Sequence, residues 1–249
     1  MTLYARYING QTEQVYKDIY TLGQDAFLPT NLPDIEKVLT ETFERVAYNL
    51  DIIYSELKHI NYLFKSEPKY NFERPLHKPL SNTNILLEKL DNAVRPFGFV
   101  PLSLKIFYKI VGGVNFVWDY ETNGDFMWEM ADPIQITSLD AVVQEVTDEW
   151  WQEYILPYID DENFGNAFLN LAADYLHKDN ISGGQAYAIQ ITNEPSIDSN
   201  FMNEPNGTTF INYLRICFEY CGFPGLTAPV IKNDYDTFFD KVKPLLKPI

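Results

Sequence analysis

The chain of 249 residues has few of the side chains that build disulfide frameworks and metal centres. It contains three histidines, none in a metal-binding spacing, and two cysteines, Cys217 and Cys221, which lie one helical turn apart. Cysteines on one helical face have parallel side chains, which strains a disulfide, and a structural zinc site needs four ligands. We therefore expect two small, buried thiols, with no metal and no cofactor.

Long apolar segments are also lacking. No run approaches the roughly 20 apolar residues that span a bilayer, and the first ten residues contain Arg6 without the apolar segment of a secretory signal. Few cysteines and no signal segment are typical of a protein in a reducing compartment. We expect a cytoplasmic protein that does not enter a membrane.

Basic residues are scarce overall and absent from one long part of the chain. The sequence has 19 lysines and arginines against 35 aspartates and glutamates, which gives a net charge of −16. A chain this acidic repels phosphate backbones and anionic lipid surfaces, which argues against nucleic-acid and membrane binding. Residues 110–177, here called the acidic stretch, contain no lysine or arginine. Their carboxylates are Asp119, Glu121, Asp125, Glu129, Asp132, Asp140, Glu145, Asp148, Glu149, Glu153, Asp160, Asp161, Glu162 and Asp174.

Aromatic residues are interleaved with these acids, namely Trp118, Tyr120, Trp128, Trp150, Trp151 and Tyr154. Clustered carboxylates repel one another, so their clustering requires a cause. One interpretation is a solvated face that maintains solubility. A second is a docking surface for a basic partner, in which charge raises the association rate and aromatic side chains serve as anchors.

On the second interpretation we assign partner binding to Trp118, Asp119, Tyr120, Glu121, Asp125, Trp128 and Glu129. A third interpretation is a calcium loop between Asp119 and Asp125, where oxygen ligands alternate along the chain. That segment lacks the spaced acidic pattern and the downstream bidentate glutamate of a calcium-binding loop, which disfavours this third interpretation.

The clearest periodic signal follows the first 30 residues, which show no clear pattern. From Ile35 onward apolar residues recur at steps of three and four, the pattern of one helical face. Pro33 and Asp34 suit the first turn of a helix. The sequence predicts a long amphipathic helix from Leu32 to about Lys65, and a loop with three prolines over residues 66–79.

Shorter elements are predicted in the remainder of the chain. Helices are predicted at 85–94, 101–111, 138–146, 149–155, 208–220 and 238–246, and strands at 114–118, 126–130, 134–136, 168–172 and 187–191. Helices come first, and later strands and helices alternate without a regular βαβ rhythm. This order indicates an α+β fold rather than a doubly wound sheet.

Catalytic signatures are missing from the sequence, including the glycine-rich phosphate loops and the nucleophile elbow. The segment from Asp174 to Gly184 offers an acid, an imidazole, an amine and a hydroxyl. Catalytic groups must converge in space, which sequence adjacency rarely achieves, so we interpret Gly183 and Gly184 as a turn into the next strand. A carbohydrate hydrolase that uses two carboxylates across an aromatic cleft stays an alternative.

The segment from Gly98 to Phe116 combines a glycine, an apolar residue before Pro101, a short aromatic helix and the pair Gly112 and Gly113. This combination resembles the signature of the SMI1/KNR4 (SUKH) superfamily. The proline starts the helix and the glycines allow the chain to reverse into a strand. Residues 176–184 and 208–225 are also similar to bacterial relatives of that group, and the resemblance extends from about Arg95 to Gly225.

The resemblance implies an α+β fold in which helices surround a central mixed or antiparallel sheet, over residues 81–249. Residues 1–80 would then form an N-terminal helical extension that packs on this domain. Bacterial members are commonly immunity proteins that bind polymorphic toxins, often nucleases, whereas fungal members regulate cell-wall synthesis. No catalytic residues come with the family.

We therefore expect a non-enzymatic protein whose partner is a basic protein such as a toxin domain. An intracellular regulatory or scaffold protein of the same fold is the alternative.

Overall fold

A computed structural model describes residues 1–66, 74–123, 128–159, 165–226 and 233–249. These residues form both helices and strands, which confirms the mixed α+β class. The helices are α1 Leu3–Ile8, α2 Thr12–Thr21, α3 Leu32–His59, α4 Thr83–Val94, α5 Leu102–Ile110, α6 Leu139–Val146, α7 Glu149–Ile159, α8 Tyr175–Lys178, α9 Phe210–Glu219 and α10 Asn233–Val242. Within the described ranges, none of them combines the length and the apolar composition that crossing a bilayer requires.

In the described ranges, six short strands form two antiparallel sheets. The strands are β1 Leu76–His77, β2 Gly113–Asn115, β3 Gln135–Ile136, β4 Phe168–Ala172, β5 Tyr187–Gln190 and β6 Phe201–Met202. The first sheet has the order β1-β2-β3 and the second the order β4-β5-β6. The expected single central sheet is thus divided in two. The two sheets meet where the backbone N–H of Thr137 donates to the carbonyl of Leu171 at 2.7 Å.

Helix α3 begins at Leu32, as predicted, but ends at His59 rather than near Lys65. Asn61 takes a left-handed backbone with a φ of 56° directly after the helix. The turn allows Phe64 to pair with Trp118 and the N–H of Lys65 to reach the carbonyl of Val117 at 2.7 Å. These contacts to the segment after β2 are invisible to helical periodicity, which explains the overestimated length.

The core lies between α3, α5 and α9. Phe43 of α3 places its ring centroid 5.9 Å from Phe107 of α5 and 6.4 Å from Phe210 of α9. One continuous cluster of buried apolar residues extends from Tyr7 to Ile249. Residues on both sides of position 80 therefore contribute to the same core.

The first 30 residues form α1 and α2, which no sequence pattern predicted. The hydroxyl of Thr42 on α3 lies 2.7 Å from that of Tyr16 and 2.9 Å from that of Tyr7, so buried hydrogen bonds join all three helices. Short helices are marginal on their own and form when tertiary contacts stabilise them. The same reason explains why α8 and β6 were missed.

The strand predicted at 126–130 is not observed where the chain is described. Residues 126 and 127 lie outside the described ranges, and Trp128 to Met130 form a turn in which Met130 has a φ of 56°.

Cys217 and Cys221 are both buried and unpaired, as expected. Burial raises the pKa of the Cys221 thiol to about 12, and raises that of Cys217 as well. Both side chains therefore stay protonated at neutral pH and pack as small apolar groups.

Candidate functional site

Two of the predicted partner-binding residues are core residues. Trp118 is 3% exposed and packs edge-to-face on Tyr62 at 4.9 Å. Trp128 is 1% exposed and packs edge-to-face on Phe223 at 4.8 Å. Both rings pack inside the fold, where large aromatic side chains stabilise the core by burial. Neither side chain presents a contact surface to a partner, which corrects their assignment as anchors.

Asp119 and Tyr120 mainly hold the loop after β2 in place. The Asp119 carboxylate accepts the backbone N–H groups of Glu121 and Thr122 at 3.2 Å and the hydroxyl of Thr122. The half-buried Tyr120 donates its hydroxyl to Asp179 at 3.2 Å. These two side chains thus serve local structure.

The remaining described residues of the predicted set are two exposed glutamates. Glu121 and Glu129 are exposed, and Asp125 lies outside the described residues. In the described part of the chain, no three His, Cys, Asp or Glu side chains come together in a way that could hold a metal ion.

One carboxylate of the acidic stretch is paired with a lysine inside the protein. Asp132 is 2% exposed and its carboxylate pairs with the ammonium group of Lys178 at 2.7 Å. Tyr187 donates its hydroxyl to the other oxygen of Asp132 at 3.1 Å, and the Lys178 ammonium lies 4.5 Å from the Tyr187 ring centroid. Lys178 follows the acidic stretch by one residue in sequence, so local charge counting could not reveal this pair.

The acid and the imidazole of the segment from Asp174 to Gly184 do meet, but as a helix cap. Asp174 accepts the backbone N–H of Leu176 at 2.9 Å at the start of α8, and its second oxygen pairs with Nδ1 of His177. A Cβ on Gly184 would lie 2.2 Å from the Asp174 carboxylate, so a side chain at this position would displace the group that caps α8. Among the described residues, no serine, threonine or cysteine side chain hydrogen-bonds to His177.

Among the described residues of the acidic stretch, an exposed aromatic lies on α7 instead. Trp150 is 57% exposed and stacks on Tyr154, with ring centroids 5.0 Å apart and planes at 12°. Glu149 and Glu153 are exposed on the same helix. We call Glu149, Trp150 and Glu153 the α7 face.

The opposite side of α7 anchors it to the fold. Trp151 is fully buried and packs edge-to-face on Phe97 at 5.4 Å. Asp148 accepts the backbone N–H of Trp150 at 3.0 Å and so helps to fix the start of the helix. Trp150 and Trp151 are adjacent in sequence yet differ completely in exposure. The sequence analysis singled out both tryptophans but did not predict which one is exposed. The direction of each side chain depends on how the helix packs against the core.

A cleft of about 210 Å³ lies beside α7, and we call it the α7–β4 cleft. Its lining residues are Tyr154, Tyr158, Phe168, Asn170, Gly184, Gln185, Ala186 and Asn203. Glu145 of α6 lies directly behind it, where its carboxylate accepts the side-chain amide of Asn170 at 3.1 Å. Burial raises the pKa of Glu145, and the hydrogen bond from Asn170 opposes part of that effect.

Comparisons of the chain with protein-family models, with curated proteins and with solved structures gave no match.

Proposed function

We propose that this chain is a non-enzymatic immunity protein that binds and neutralises a basic toxin domain through the α7 face. The observation that carries the proposal is Trp150, a tryptophan with 57% of its surface exposed, between two exposed glutamates in a stretch without lysine or arginine. We place the protein in the cytoplasm, where it would bind a toxin that enters the cell.

The chemistry of the α7 face supports this role. Tryptophan is among the residues that most often dominate binding energy at interfaces, usually at the centre of a polar rim. Because Trp150 is already stacked on Tyr154, it loses little side-chain freedom when it is covered. The flanking carboxylates would attract a basic partner and raise the association rate.

The segment from Gly98 to Phe116 supports the proposed relation to the SMI1/KNR4 superfamily. Helix α5 starts directly after Pro101 and ends at Ile110, and Gly112 has a φ of 96°. A Cβ on Gly112 would lie 2.1 Å from the carbonyl oxygen of His77. Pro101 thus starts α5, and Gly112 allows the close approach that places β2 beside β1.

The charge of the α7 face is tested with the double substitution Glu149→Gln and Glu153→Gln. The probe is a purified basic toxin domain encoded beside the gene, with affinity measured by calorimetry at low and high salt. We expect about tenfold weaker binding at low salt, and a smaller difference at high salt because salt screens exposed charges.

A matched control removes two charges elsewhere, with Glu36→Gln and Glu44→Gln on the exposed side of α3. This pair should leave the affinity unchanged. Equal weakening by both pairs would mean that binding follows net charge, which would contradict the assignment to the α7 face.

The aromatic anchor is tested with Trp150→Ala. A central tryptophan commonly contributes about 2 kcal/mol or more, so we expect at least about 30-fold weaker binding to the same toxin domain. Co-expression should show the same loss as failure to protect cells from the toxin. Because Trp150 is exposed, the urea midpoint should change little, which separates lost binding from lost folding. Unchanged affinity would refute the proposed anchor.

A further inference from the structure

The α7–β4 cleft has an aromatic wall held in place by the core. Phe168 of β4 is 5% exposed, and its ring centroid lies 5.2 Å from that of Tyr158 and 6.1 Å from that of Tyr154, both edge-to-face. The two tyrosines of α7 are half-buried, so part of each ring still faces solvent. The wall is therefore preformed.

Three side-chain amides line the remainder of the cleft, and each comes from a different segment. Asn170 lies on β4, Gln185 precedes β5, and Asn203 follows β6. Two of them are oriented by hydrogen bonds, because Asn170 donates to Glu145 at 3.1 Å and Asn203 donates to the carbonyl of Ala186 at 2.8 Å. Their Oδ1 atoms can accept from a ligand, and the exposed Gln185 offers both a donor and an acceptor.

Among the described residues, the lining carries no ionised side chain, on a protein with a net charge of −16. Phosphates and carboxylates are bound by arginine, lysine or helix N-termini. A cationic ligand held at ring faces would leave the amide N–H donors of this cleft without an acceptor. Paired donors and acceptors beside aromatic rings instead match a ligand with hydroxyl groups on its rim and C–H groups on its faces.

We propose that the α7–β4 cleft binds one ring of a neutral saccharide. The volume of about 210 Å³ is smaller than the roughly 300–1,000 Å³ of sites for drug-sized ligands, which limits the occupant to about one ring. The tyrosines stack on the sugar and the amides of Asn170, Gln185 and Asn203 hydrogen-bond its hydroxyls. The site binds the saccharide without cleaving it, and its lining residues are not those of the α7 face.

The test uses the full chain and four soluble probes, which are cellohexaose, laminarihexaose, xylohexaose and hexa-N-acetylchitohexaose. Binding is measured by calorimetry and by saturation-transfer NMR. We expect at least one probe to bind, with an affinity that does not change between low and high salt, because no charge is involved. If none of the four binds, the proposal is overturned.

Two variants assign the bound saccharide to the cleft. Tyr154→Ala removes part of the aromatic wall, and Gln185→Ala removes an exposed amide that has no role in the core. Each should weaken binding about tenfold, the value of one lost stacking or hydrogen-bond contact. Tyr48→Ala removes a tyrosine of 39% exposure on α3 and should leave binding unchanged. Equal loss in all three variants would overturn the assignment.

Hexa-arginine peptide serves as the competing probe. If the peptide binds, if Gln185→Ala weakens that binding, and if no saccharide binds, then the cleft accepts cations. That result would overturn the proposal. Gln185→Ala leaves Glu149, Trp150 and Glu153 untouched, so toxin binding should persist in this variant. Failure of the saccharide site is therefore distinguishable from failure of the proposed function.

Discussion

At the residue scale, the most consequential contact is the ion pair between Asp132 and Lys178. Both side chains are almost completely buried, and Tyr187 completes the network through its hydroxyl and its ring. Asp132 also takes a left-handed backbone with a φ of 47°. An ion pair in such surroundings is not by itself stabilising, but removal of one partner leaves a buried charge without compensation.

We expect Lys178→Met to lower the free energy of unfolding by about 3–5 kcal/mol, because the Asp132 carboxylate loses its counter-charge. The measurement is urea unfolding followed by tryptophan fluorescence and circular dichroism. The double variant Lys178→Met with Asp132→Asn should regain at least half of the loss, since asparagine is neutral and tolerates the left-handed backbone. A double variant as unstable as the single one would show that the charge is not the cause.

At the element scale, α7 divides its residues between the core and two surfaces. Trp151 anchors the helix, Trp150 faces outward, and Tyr154 and Tyr158 line the cleft. Helix α6 supports the same region through Glu145, whose carboxylate lies behind Asn170. This arrangement allows the proposed partner surface and the proposed saccharide site to be altered by separate substitutions.

Glu145 makes a pH-dependent contribution to the free energy of unfolding, and we expect Glu145→Gln to remove it. Burial raises the folded-state pKa of this carboxyl above its usual value near 4.5, so the folded protein takes up the proton before the unfolded chain does. At neutral pH the wild type keeps a charge that folding disfavours, whereas the variant keeps a neutral acceptor for Asn170. The variant should therefore be more stable at pH 7, and the gain should vanish below the usual pKa.

The measurement is the difference in unfolding free energy between variant and wild type from pH 7 to pH 4. Glu36→Gln on the exposed side of α3 is the control for the loss of one carboxylate that is not buried. A gain for Glu145→Gln that persists or grows toward low pH would contradict the expected sign.

At the scale of the whole molecule, residues 1–80 and 81–249 share a core. The buried residues of α3 pack on α5, and Phe43 contacts rings of both α5 and α9. Near the end of the chain, Arg45 and Asn49 of α3 donate to the carbonyls of Pro248 and Lys247 at 2.9 Å. Through α3, the N-terminal segment thus contributes to the same core as the remainder of the chain.

We expect a fragment of residues 81–249 to lack a cooperative thermal transition, because removal of α3 exposes the core at Phe107 and Phe210. Calorimetry and near-UV circular dichroism are the measurements. Addition of a separately prepared fragment of residues 1–80 should restore part of the signal. A sharp transition in the 81–249 fragment alone would instead establish an autonomous domain with an accessory extension.

Elements with a strong local signal were predictable. Apolar residues every three or four positions, together with Pro33, predicted helix α3. A short apolar run predicted β4. The elements α1, α8 and β6 have six residues or fewer and depend on distant partners. No local pattern could reveal them.

The sequence by itself determined the charge of the acidic stretch, because the absence of lysine and arginine between residues 110 and 177 is a property of the chain. Only the tertiary structure decided which of those side chains reach solvent. It buried Trp118 and Trp128, paired Asp132 with Lys178, and left Trp150 exposed. The physical reason is that burial depends on contacts between segments far apart in sequence, whereas charge and apolar periodicity are local.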